Sequence, residues 1–250
     1  MHLSLFQIAN IVLIGLLLFL FIRFLWMTFL HPPSQPAAWK EGVKMKQIPA
    51  SLIRLERFYP DKVRFYTWWL QAERLKKEKI SGAYAELGVY QGESARILHL
   101  MDPGRKFYLF DTFEGFPKED LQGETGKAAT YTTQDFAGTS IARVIRKING
   151  NDRIEVVQGY FPDTADAVRD QSFALVNIDA DLYKPTKAGL EFFYPRLTPG
   201  GVIFVHDYNS KWPGVIRAVD GFLATVPETL VLIPDREGTV VIVRDEGGGT

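Results

Sequence analysis

Short apolar runs alternate with helical stretches from residue 83 onward, and this alternation limits the fold more than any other feature of the chain. Strand–helix–strand repeats of this kind form parallel sheets through right-handed crossovers. The last two runs are joined only by the hairpin-length segment 234–238, which predicts an antiparallel strand at one edge of the sheet. We therefore expect an α/β fold with a seven-stranded, mostly parallel sheet. The predicted strands are 83–88, 106–111, 154–158, 173–179, 202–206, 229–233 and 240–244, and the predicted helices are 93–101, 140–149, 163–170 and 186–197.

An apolar segment at the start of the chain predicts a membrane anchor. Between Leu3 and Leu30 the only charged residue is Arg23, and residues 11–22 are wholly apolar. About 20 residues of helix cross the hydrocarbon layer, and Trp26 lies where an interfacial aromatic side chain is common. A signal peptide or a buried core helix fits less well, since a basic start and a small-residue cleavage site are not evident. The segment is predicted to be one retained transmembrane helix.

Basic residues follow the apolar segment and are almost absent before it. Lys40, Lys44 and Lys46 come after the segment, whereas only His2 and the amino terminus come before it. The positive-inside rule therefore predicts a cytoplasmic C-terminal domain.

Prolines divide the region between the apolar segment and the first strand. Three prolines within 31–38 predict an extended, non-helical linker. Residues 50–80 have helical periodicity broken at Pro60, which predicts two helices that either pack on the core or form a lid over a ligand cleft. The predicted organisation is an anchor at 1–30, a linker at 31–48, a helical lid or extension at 49–80, a ligand-binding domain at 81–245 and a flexible tail at 246–250.

The overall charge and the absence of cysteine exclude several classes of function. The chain has 29 basic and 29 acidic side chains, so bulk electrostatics gives no case for a nucleic-acid partner. With no cysteine there are no disulfides, no cysteine–zinc sites and no thiol nucleophile.

The turn after the first strand predicts a nucleoside site. Glu86 closes the strand and Gly88 and Gly92 lie in the turn, where glycine lets the backbone pass close to a ligand. Asp111 ends the second strand, 23 residues after Gly88, and can accept ribose hydroxyls there. Both NAD and S-adenosylmethionine have that ribose. Glu93 is the first residue of the following helix. Its carboxylate would repel the pyrophosphate of NAD but not the sulfonium cation of S-adenosylmethionine.

Acidic side chains gather at the predicted ends of the fourth and fifth strands. Asp179 and Asp181 end one strand, and His206 and Asp207 end its neighbour. In open α/β sheets ligands bind at the carboxyl ends of the strands, so these side chains are expected to converge. Asp179, His206 and Asp207 are able to hold one divalent ion, with Asp179 near enough to take a proton from a substrate. For Asp181 we prefer helix capping, with substrate contact as a second role.

Together these motifs resemble the macrocin O-methyltransferase family of the TylF, MycF and NovP type. The resemblance is carried by AYAELGVYQGESA, FYLFDTFEGFP, VVQGYFPDT, DADLY and a Pro-Gly-Gly strand ending in His-Asp-Tyr, in that order between about Ser81 and Leu223. It implies a Rossmann-like class I methyltransferase fold and S-adenosylmethionine as the methyl donor. It further implies methylation of a hydroxyl group, typically on a sugar, with help from Mg²⁺.

The resemblance also implies roles for individual residues. Asp179 would be the catalytic base and a metal ligand, Asp207 a further ligand, and His206 a candidate for either role. The residues implied to hold the methyl donor are Glu86, Gly88, Tyr90, Gly92, Ser94, Asp111, Thr112 and Phe113.

Two features depart from the antibiotic-pathway members of the family. Those members usually have Asp-Asp-Tyr where this chain has His206-Asp207-Tyr208, and imidazole suits Mn²⁺ or Fe²⁺ better than Mg²⁺. The divalent cation, Mg²⁺ or Mn²⁺, is thus left open. The predicted anchor makes the membrane an expected partner. It also adds a lipid-linked sugar to the small-molecule sugars that are candidate acceptors. Whether the protein forms a homodimer is left open.

Two other classes of function are kept as alternatives. One is an NAD(P)-dependent oxidoreductase, which the glycine turn disfavours. The other is a non-catalytic, membrane-anchored module that binds a nucleoside, which intact Asp179 and Asp207 disfavour.

Overall fold

The computed structural model describes residues 4–26 and 35–245, and the chain divides into two compact units, Met1–Ile48 and Pro49–Thr250. In the first unit, helix α1 (Leu5–Leu25) begins with a capping box in which Ser4 and Gln7 exchange hydrogen bonds. Its 21 residues are long and apolar enough to cross a membrane. The outer parts of the predicted anchor, residues 1–3 and 27–30, lie outside the described residues, as does the predicted tail at 246–250.

The second helix of this unit, α2 (Ala37–Lys44), corrects the predicted linker. The expectation of non-helical backbone as far as Ala38 is wrong at Ala37 and Ala38, while residues 31–34 lie outside the described residues. Pro36 stands at the N-cap position, where its missing N–H group costs no helical hydrogen bond. The alanines and the lysine that follow favour helix, so the proline starts a helix here.

The second unit opens with two helices, α3 (Ala50–Phe58) and α4 (Lys62–Lys77), which confirms the predicted break at Pro60. Asp61 caps α4 by accepting a hydrogen bond from the backbone N–H of Arg64 at 3.0 Å. Large aromatic side chains of α4, such as Trp68, are buried, as the packing alternative for this region requires.

A seven-stranded sheet in the order β3-β2-β1-β4-β5-β7-β6 forms the centre of this unit. Strands β1 to β5 are parallel, and β7 pairs antiparallel with both β5 and β6. This confirms the predicted α/β class and its mixed edge. The elements are β1 (Ala83–Leu87), α5 (Glu93–Met101), β2 (Phe107–Asp111), α6 (Lys118–Leu121), α7 (Ile141–Ile148), β3 (Ile154–Gln158), β4 (Phe173–Ile178), α8 (Tyr183–Phe193), β5 (Leu197–Val205), α9 (Pro213–Leu223), β6 (Val231–Ile233) and β7 (Thr239–Val243).

Several helical segments differ from the prediction: α6 was not predicted, and the helix expected at 186–197 is α8, which ends at Phe193 before β5 begins at Leu197. The segment expected at 163–170 is a 3₁₀ helix, Asp163–Val168, because Asp and Thr favour helix weakly and the segment is too short for a stable α-helical ladder. Helix α9 was not predicted, since Pro213 and Gly214 read as breakers in the sequence. Proline in the first turn is in fact compatible with a helix start.

The two central strands, β1 and β4, are buried along their whole length. Parallel strands covered on both faces are near-continuous apolar runs, which is why these stretches were recognisable in the sequence. From β1 the strand order continues to β2 on one side, while β4 lies on the other. The resulting crevice at their carboxyl ends is where open α/β sheets bind ligands.

Candidate active site

A cavity of about 600 Å³ opens at these carboxyl ends, a size that suits a small-molecule ligand. Among the described residues it is lined by residues from the loops after all five parallel strands, β1 to β5. The predicted site residues on its wall are Gly88, Tyr90, Ser94, Asp111, Thr112, Asp179, His206 and Asp207. Three predicted residues, Glu86, Gly92 and Phe113, are not among those that line it. The helices α3 and α4 do not line it either, so a lid role for them stays a prediction.

Asp111 organises the side of the cavity formed by β1 and β2. Its Oδ2 atom accepts hydrogen bonds from the backbone N–H groups of Val89 at 2.8 Å and Tyr90 at 2.7 Å. Its Oδ1 atom accepts one from the backbone N–H of Phe113 at 2.7 Å. This one carboxylate therefore fixes the loop after β1 and, through the backbone of Phe113, the loop after β2. Both loops face the predicted nucleoside site.

Gly88 has to be glycine for two reasons. Its φ of +88° lies in the left-handed region, and a Cβ atom there would come within 1.9 Å of the carbonyl oxygen of Asp179. The turn after β1 thus touches the tip of β4. Gly92 also has a φ in the left-handed region, +73°, and a Cβ on it would lie 2.9 Å from Cγ1 of Val144.

Glu86 lies behind the loop and is fully buried. Its Oε1 atom accepts a hydrogen bond from Nδ2 of Asn177 at 2.8 Å, while Oε2 has no partner among the described residues. Burial raises the pKa of Glu86 to about 8, so its carboxyl group is protonated at neutral pH. Glu86 supports the strand pair β1–β4 from within the sheet.

The structure brings Asp179, His206 and Asp207 together. One potential ligand atom from each lies within 4.8 Å of the others. Nδ1 of His206 is 3.1 Å from Oδ1 of Asp179 and 2.8 Å from Oδ1 of Asp207. Neither contact has hydrogen-bond geometry, and both His206 nitrogens and Oδ1 of Asp207 are buried without a hydrogen-bond partner among the described residues.

Charge is concentrated in this cluster. Burial acts to lower the pKa of His206, but the carboxylates of Asp179 and Asp207 outweigh it and raise that pKa to about 10. Burial acts to raise the pKa of Asp179, but His206 and Arg64 outweigh it and lower that pKa. For Asp207, burial dominates and raises the pKa. An imidazolium with an ionised Asp179 is thus the resting arrangement.

The capping prediction for Asp181 is wrong. The N-cap residue of α8 is Leu182, and the first N–H group of the helix, on Tyr183, donates to Oε1 of Glu124 at 2.7 Å. Glu124 comes from the loop after α6, so the cap is supplied by a distant segment. Asp181 has a φ of +59° and lines the cavity.

Aromatic residues that the sequence reasoning did not single out form the opposite wall. The ring of Phe116 stacks on Tyr131 with 5.3 Å between centroids, and Phe136 packs edge-on against both. Trp212 lines the cavity next to them, with Lys127 Nζ 5.0 Å from its ring centroid. The only signal in the sequence was aromatic density in the 112–136 loop and the Trp-Pro-Gly start of α9.

Comparisons with known proteins point to one enzyme family. The macrocin-O-methyltransferase (TylF) family model matches residues 62–233. The 8-demethyl-8-(2,3-dimethoxy-alpha-L-rhamnosyl)-tetracenomycin-C 4'-O-methyltransferase of Streptomyces olivaceus is 26% identical over 150 residues, 54% of this chain and 56% of that protein. The mycinamicin III 3''-O-methyltransferase of Micromonospora griseorubida is 30% identical over 150 residues, 54% of this chain and 59% of that protein. The chain thus spans less than two thirds of the length of these relatives.

Solved structures agree on the fold. The O-methyltransferase NovP superposes with a TM-score of 0.64 at 24% identity, covering 74% of this chain and 80% of that one. The calicheamicin methyltransferase CalS11 superposes with a TM-score of 0.56 at 26% identity, covering 71% of this chain and 79% of that one.

Proposed function

Because this chain belongs to the macrocin O-methyltransferase (TylF) family, we propose that it transfers the methyl group of S-adenosylmethionine to a hydroxyl group of a sugar. The observation that carries the proposal is the contact between Gly88 and the backbone of Asp179. It joins the turn expected to hold the methyl donor to the strand tip that presents a carboxylate. The proposed donor and the proposed base would therefore meet in a single cavity.

The residues divide the chemistry between them. The loops fixed by Asp111 would hold the nucleoside, with the carboxylate keeping one lone pair, on Oδ1, for a ribose hydroxyl. The acceptor oxygen would attack the methyl carbon in line with the bond to sulfur, which breaks and releases S-adenosylhomocysteine. Asp179 would take the hydroxyl proton, and most of the rate enhancement would come from positioning.

The proposal also includes a divalent cation bound in the site. Asp179, His206 and Asp207 would hold it, and the donor set supports this because three of its nitrogen and oxygen atoms are buried without hydrogen-bond partners. When bound, the cation would lower the pKa of the acceptor hydroxyl. His206 has to release its proton before it can bind a metal, so proton and cation compete for the imidazole.

The other classes of function fit the site less well. A nicotinamide dinucleotide would bring a pyrophosphate to the start of α5, where Glu93 stands. A non-catalytic module would have no use for unsatisfied acidic groups beside the predicted nucleoside. Calorimetric titration of the full chain in detergent separates the methyltransferase from the oxidoreductase, and methyl transfer to an acceptor separates it from the non-catalytic module. We expect S-adenosylhomocysteine to bind and NADH not to bind, and the reverse result would make the protein an oxidoreductase.

The acceptor is proposed from the relatives. The rhamnosyl group in the name of the Streptomyces olivaceus relative makes methyl α-L-rhamnopyranoside a first acceptor to test. A lipid-linked sugar is the membrane-proximal form of the same chemistry. A homodimer stays a prediction.

We also propose that α1 anchors the protein in the membrane with the second unit in the cytoplasm. Its length and composition support an anchor, and the lysines after it support the orientation. Carbonate washing should leave the protein in the membrane fraction, and a reporter fused after Thr250 should behave as cytoplasmic. A processed amino terminus near Ala38 would replace the anchor with a signal peptide.

A further inference from the structure

A buried ion pair outside the cavity joins the start of helix α4 to the turn between β6 and β7. Nε of Arg64 lies 2.9 Å from Oδ2 of Asp235, and the two side chains are only 11% and 0% exposed. A second link lies beside it, because Oδ2 of Asp61 accepts a hydrogen bond from the backbone N–H of Arg236 at 2.8 Å. Helix α4 therefore holds two successive residues of the 234–238 turn.

The carboxylate of Asp235 also shapes the turn itself. Its Oδ1 atom accepts a hydrogen bond from the backbone N–H of Thr239 at 2.8 Å, and its Oδ2 atom accepts one from the hydroxyl group of the same residue. Thr239 is the first residue of β7. One buried carboxylate thus fixes both the path of the turn and its attachment to α4.

The 234–238 turn in its place holds the loop that follows β5. The carbonyl oxygen of Gly238 accepts a hydrogen bond from the backbone N–H of Tyr208 at 2.7 Å, and that of Glu237 accepts one from the side-chain amide of Asn209. The approach is close, since a Cβ on Gly238 would come within 2.8 Å of the carbonyl oxygen of Tyr208. The loop after β5 is therefore tied to α4 through the turn.

Asp207, which lies in this loop, needs support from outside it. Its φ of +62° is costly for a residue other than glycine, and such a conformation persists only where the surrounding structure holds it. The next residue, Tyr208, is the one whose N–H group donates to Gly238. The turn therefore holds the backbone at the point where the direction of the Asp207 side chain is set.

The chemistry of the ion pair favours a geometric role over a stabilising one. A buried pair recovers little more from its mutual attraction than it loses in hydration, so its net contribution to stability is small. A guanidinium group does supply direction, because its donors form a rigid plane that matches a carboxylate. Neither Arg64 nor Asp235 is among the described residues that line the cavity, so their contacts reach it only through the turn.

We propose that the ion pair between Arg64 and Asp235 positions the loop after β5 for methyl transfer, by holding Asp207 in the conformation that presents it to the cavity. The inference rests on the proposed function and gives helix α4 a part in it from outside the cavity. A misplacement of about 1 Å can cost about 100-fold in rate. Loss of the link should therefore lower kcat and leave binding of the methyl donor unchanged.

The test compares Arg64→Lys with the wild type, using the full chain in detergent. Lysine keeps the positive charge that lowers the pKa of Asp179 but lacks the planar fork. We expect kcat on methyl α-L-rhamnopyranoside to fall about 10-fold, while the affinity for S-adenosylhomocysteine in calorimetry stays within about 2-fold. Hydrogen–deuterium exchange of residues 206–211 should become about 10-fold faster, because the N–H group of Tyr208 is released more often.

A matched control removes the same kind of contact at the opposite end of the sheet. Nε of Arg105 lies 2.8 Å from Oδ2 of Asp102, with side chains 14% and 15% exposed, and Arg105 also donates to the carbonyl oxygen of Gly82, just before β1. Arg105→Lys should match the wild type in kcat and in the exchange of residues 206–211.

A second variant acts at the other end of the same series of contacts and leaves no buried charge unpaired. Gly238→Ala places a Cβ against the carbonyl oxygen of Tyr208, at a φ of +73° that alanine adopts with strain. It should lower kcat by a similar factor and speed the exchange of residues 206–211, again with the affinity for S-adenosylhomocysteine kept.

Other outcomes overturn the inference in distinguishable ways. If Arg64→Lys lowers only the thermal midpoint and leaves kcat and the exchange of residues 206–211 unchanged, the ion pair merely stabilises the fold. If Arg105→Lys changes kcat and exchange as much as Arg64→Lys does, the effect is a general loss of stability. If the wild type binds S-adenosylhomocysteine but does not methylate the rhamnoside, the acceptor is wrong and the exchange data alone decide. If the wild type does not bind S-adenosylhomocysteine, the proposed function has failed, whatever the variants show.

Discussion

The two sides of the cavity differ in how far their polar groups are satisfied by the protein itself. On the methyl-donor side, at β1 and β2, the carboxylate of Asp111 accepts three backbone N–H groups at 2.7 to 2.8 Å. On the acceptor side, at β4 and β5, both nitrogens of His206, Oδ1 of Asp207 and Nε1 of Trp212 are buried without hydrogen-bond partners among the described residues, although His206 lies within ion-pair distance of Asp179 and Asp207. Glu86, with one unpartnered oxygen, is the exception on the donor side.

Under the proposed function, this difference indicates how the two ligands would be bound. Buried polar groups in proteins are nearly always paired, so the unpaired set on the acceptor side is most simply completed by ligand atoms or a cation. The donor side is shaped by backbone hydrogen bonds and is ready without a ligand. A fold of this kind can therefore bind the same methyl donor while changes in a few side chains alter the acceptor and the metal that it binds.

The strongest test of this comparison changes Asp179, the proposed base and one of the three proposed metal ligands. Asp179→Asn keeps the shape of the side chain but cannot accept the hydroxyl proton, so we expect kcat to fall by about 10³-fold. The affinity for S-adenosylhomocysteine should change little, because the residues expected to bind it lie at β1 and β2. Product formation and calorimetry measure the two quantities separately. A large loss of affinity for S-adenosylhomocysteine in this variant would mean that the two sides are not independent.

The next test breaks the donor side. Asp111→Ala removes the acceptor of three backbone N–H groups and the expected partner of the ribose, so affinity for S-adenosylhomocysteine should fall by about 10- to 100-fold. Calorimetry on the full chain measures this loss. Asp166→Ala is a matched control, because Asp166 forms an exposed ion pair with Arg169. Equal affinity in Asp111→Ala and the wild type would remove Asp111 from the donor site.

A third test concerns the metal on the acceptor side. If His206 is a ligand, Mn²⁺ or Fe²⁺ should restore activity after chelation several-fold better than Mg²⁺, and His206→Asp should shift the preference towards Mg²⁺. If His206 only lines the cavity, the substitution should leave the metal preference unchanged. Full activity in excess EDTA, with no metal found by elemental analysis, would leave Asp179 as an unaided base.

The sequence was informative where one local pattern decides the structure. Continuous apolar runs bounded by turns predicted strands such as β1 and β4. An acidic residue at the carboxyl end of a parallel strand lies at the edge of the sheet where ligands bind. Asp111, Asp179 and His206 were therefore placed on the cavity wall in advance. The break at Pro60 was predicted for the same reason, because proline acts on its own backbone.

The remainder depended on contacts between distant segments. Capping of α8 by Glu124, 59 residues away along the chain, left Asp181 available for the cavity, and no local pattern shows this. The place of Glu86 behind the loop depends on Asn177 in the neighbouring strand β4. Tyr131 and Trp212 come from loops, whose paths are set by what they pack against.

The smallest expected effect concerns Glu86, the residue on the donor side whose Oε2 atom has no hydrogen-bond partner among the described residues. The pKa of Glu86 is raised from 4.5 to about 8 by burial, so its contribution to stability is fully present below pH 4.5 and is lost as the pH rises through 8. The pKa of His206 is raised to about 10 by its carboxylate neighbours, so its contribution is present below about pH 6.5 and is lost as the pH rises through 10. Wild-type stability should therefore fall across the whole neutral to alkaline range.

Glu86→Gln separates the two groups, because glutamine cannot ionise while the slope due to His206 stays the same in both proteins. At pH 5 the variant should be slightly less stable than the wild type, since the new amide has an unpaired N–H where a protonated carboxyl stood. At pH 8.5 the order should reverse, because the wild type then holds a buried carboxylate. We expect the difference in thermal midpoint between the two proteins to change by about 8 to 15 °C between these pH values, since the raised pKa corresponds to about 4 kcal/mol over this interval and 1 kcal/mol to about 2 to 4 °C at this size. Parallel midpoint curves would show that Glu86 is ionised throughout, and its unpartnered oxygen would then belong with the unsatisfied groups on the acceptor side.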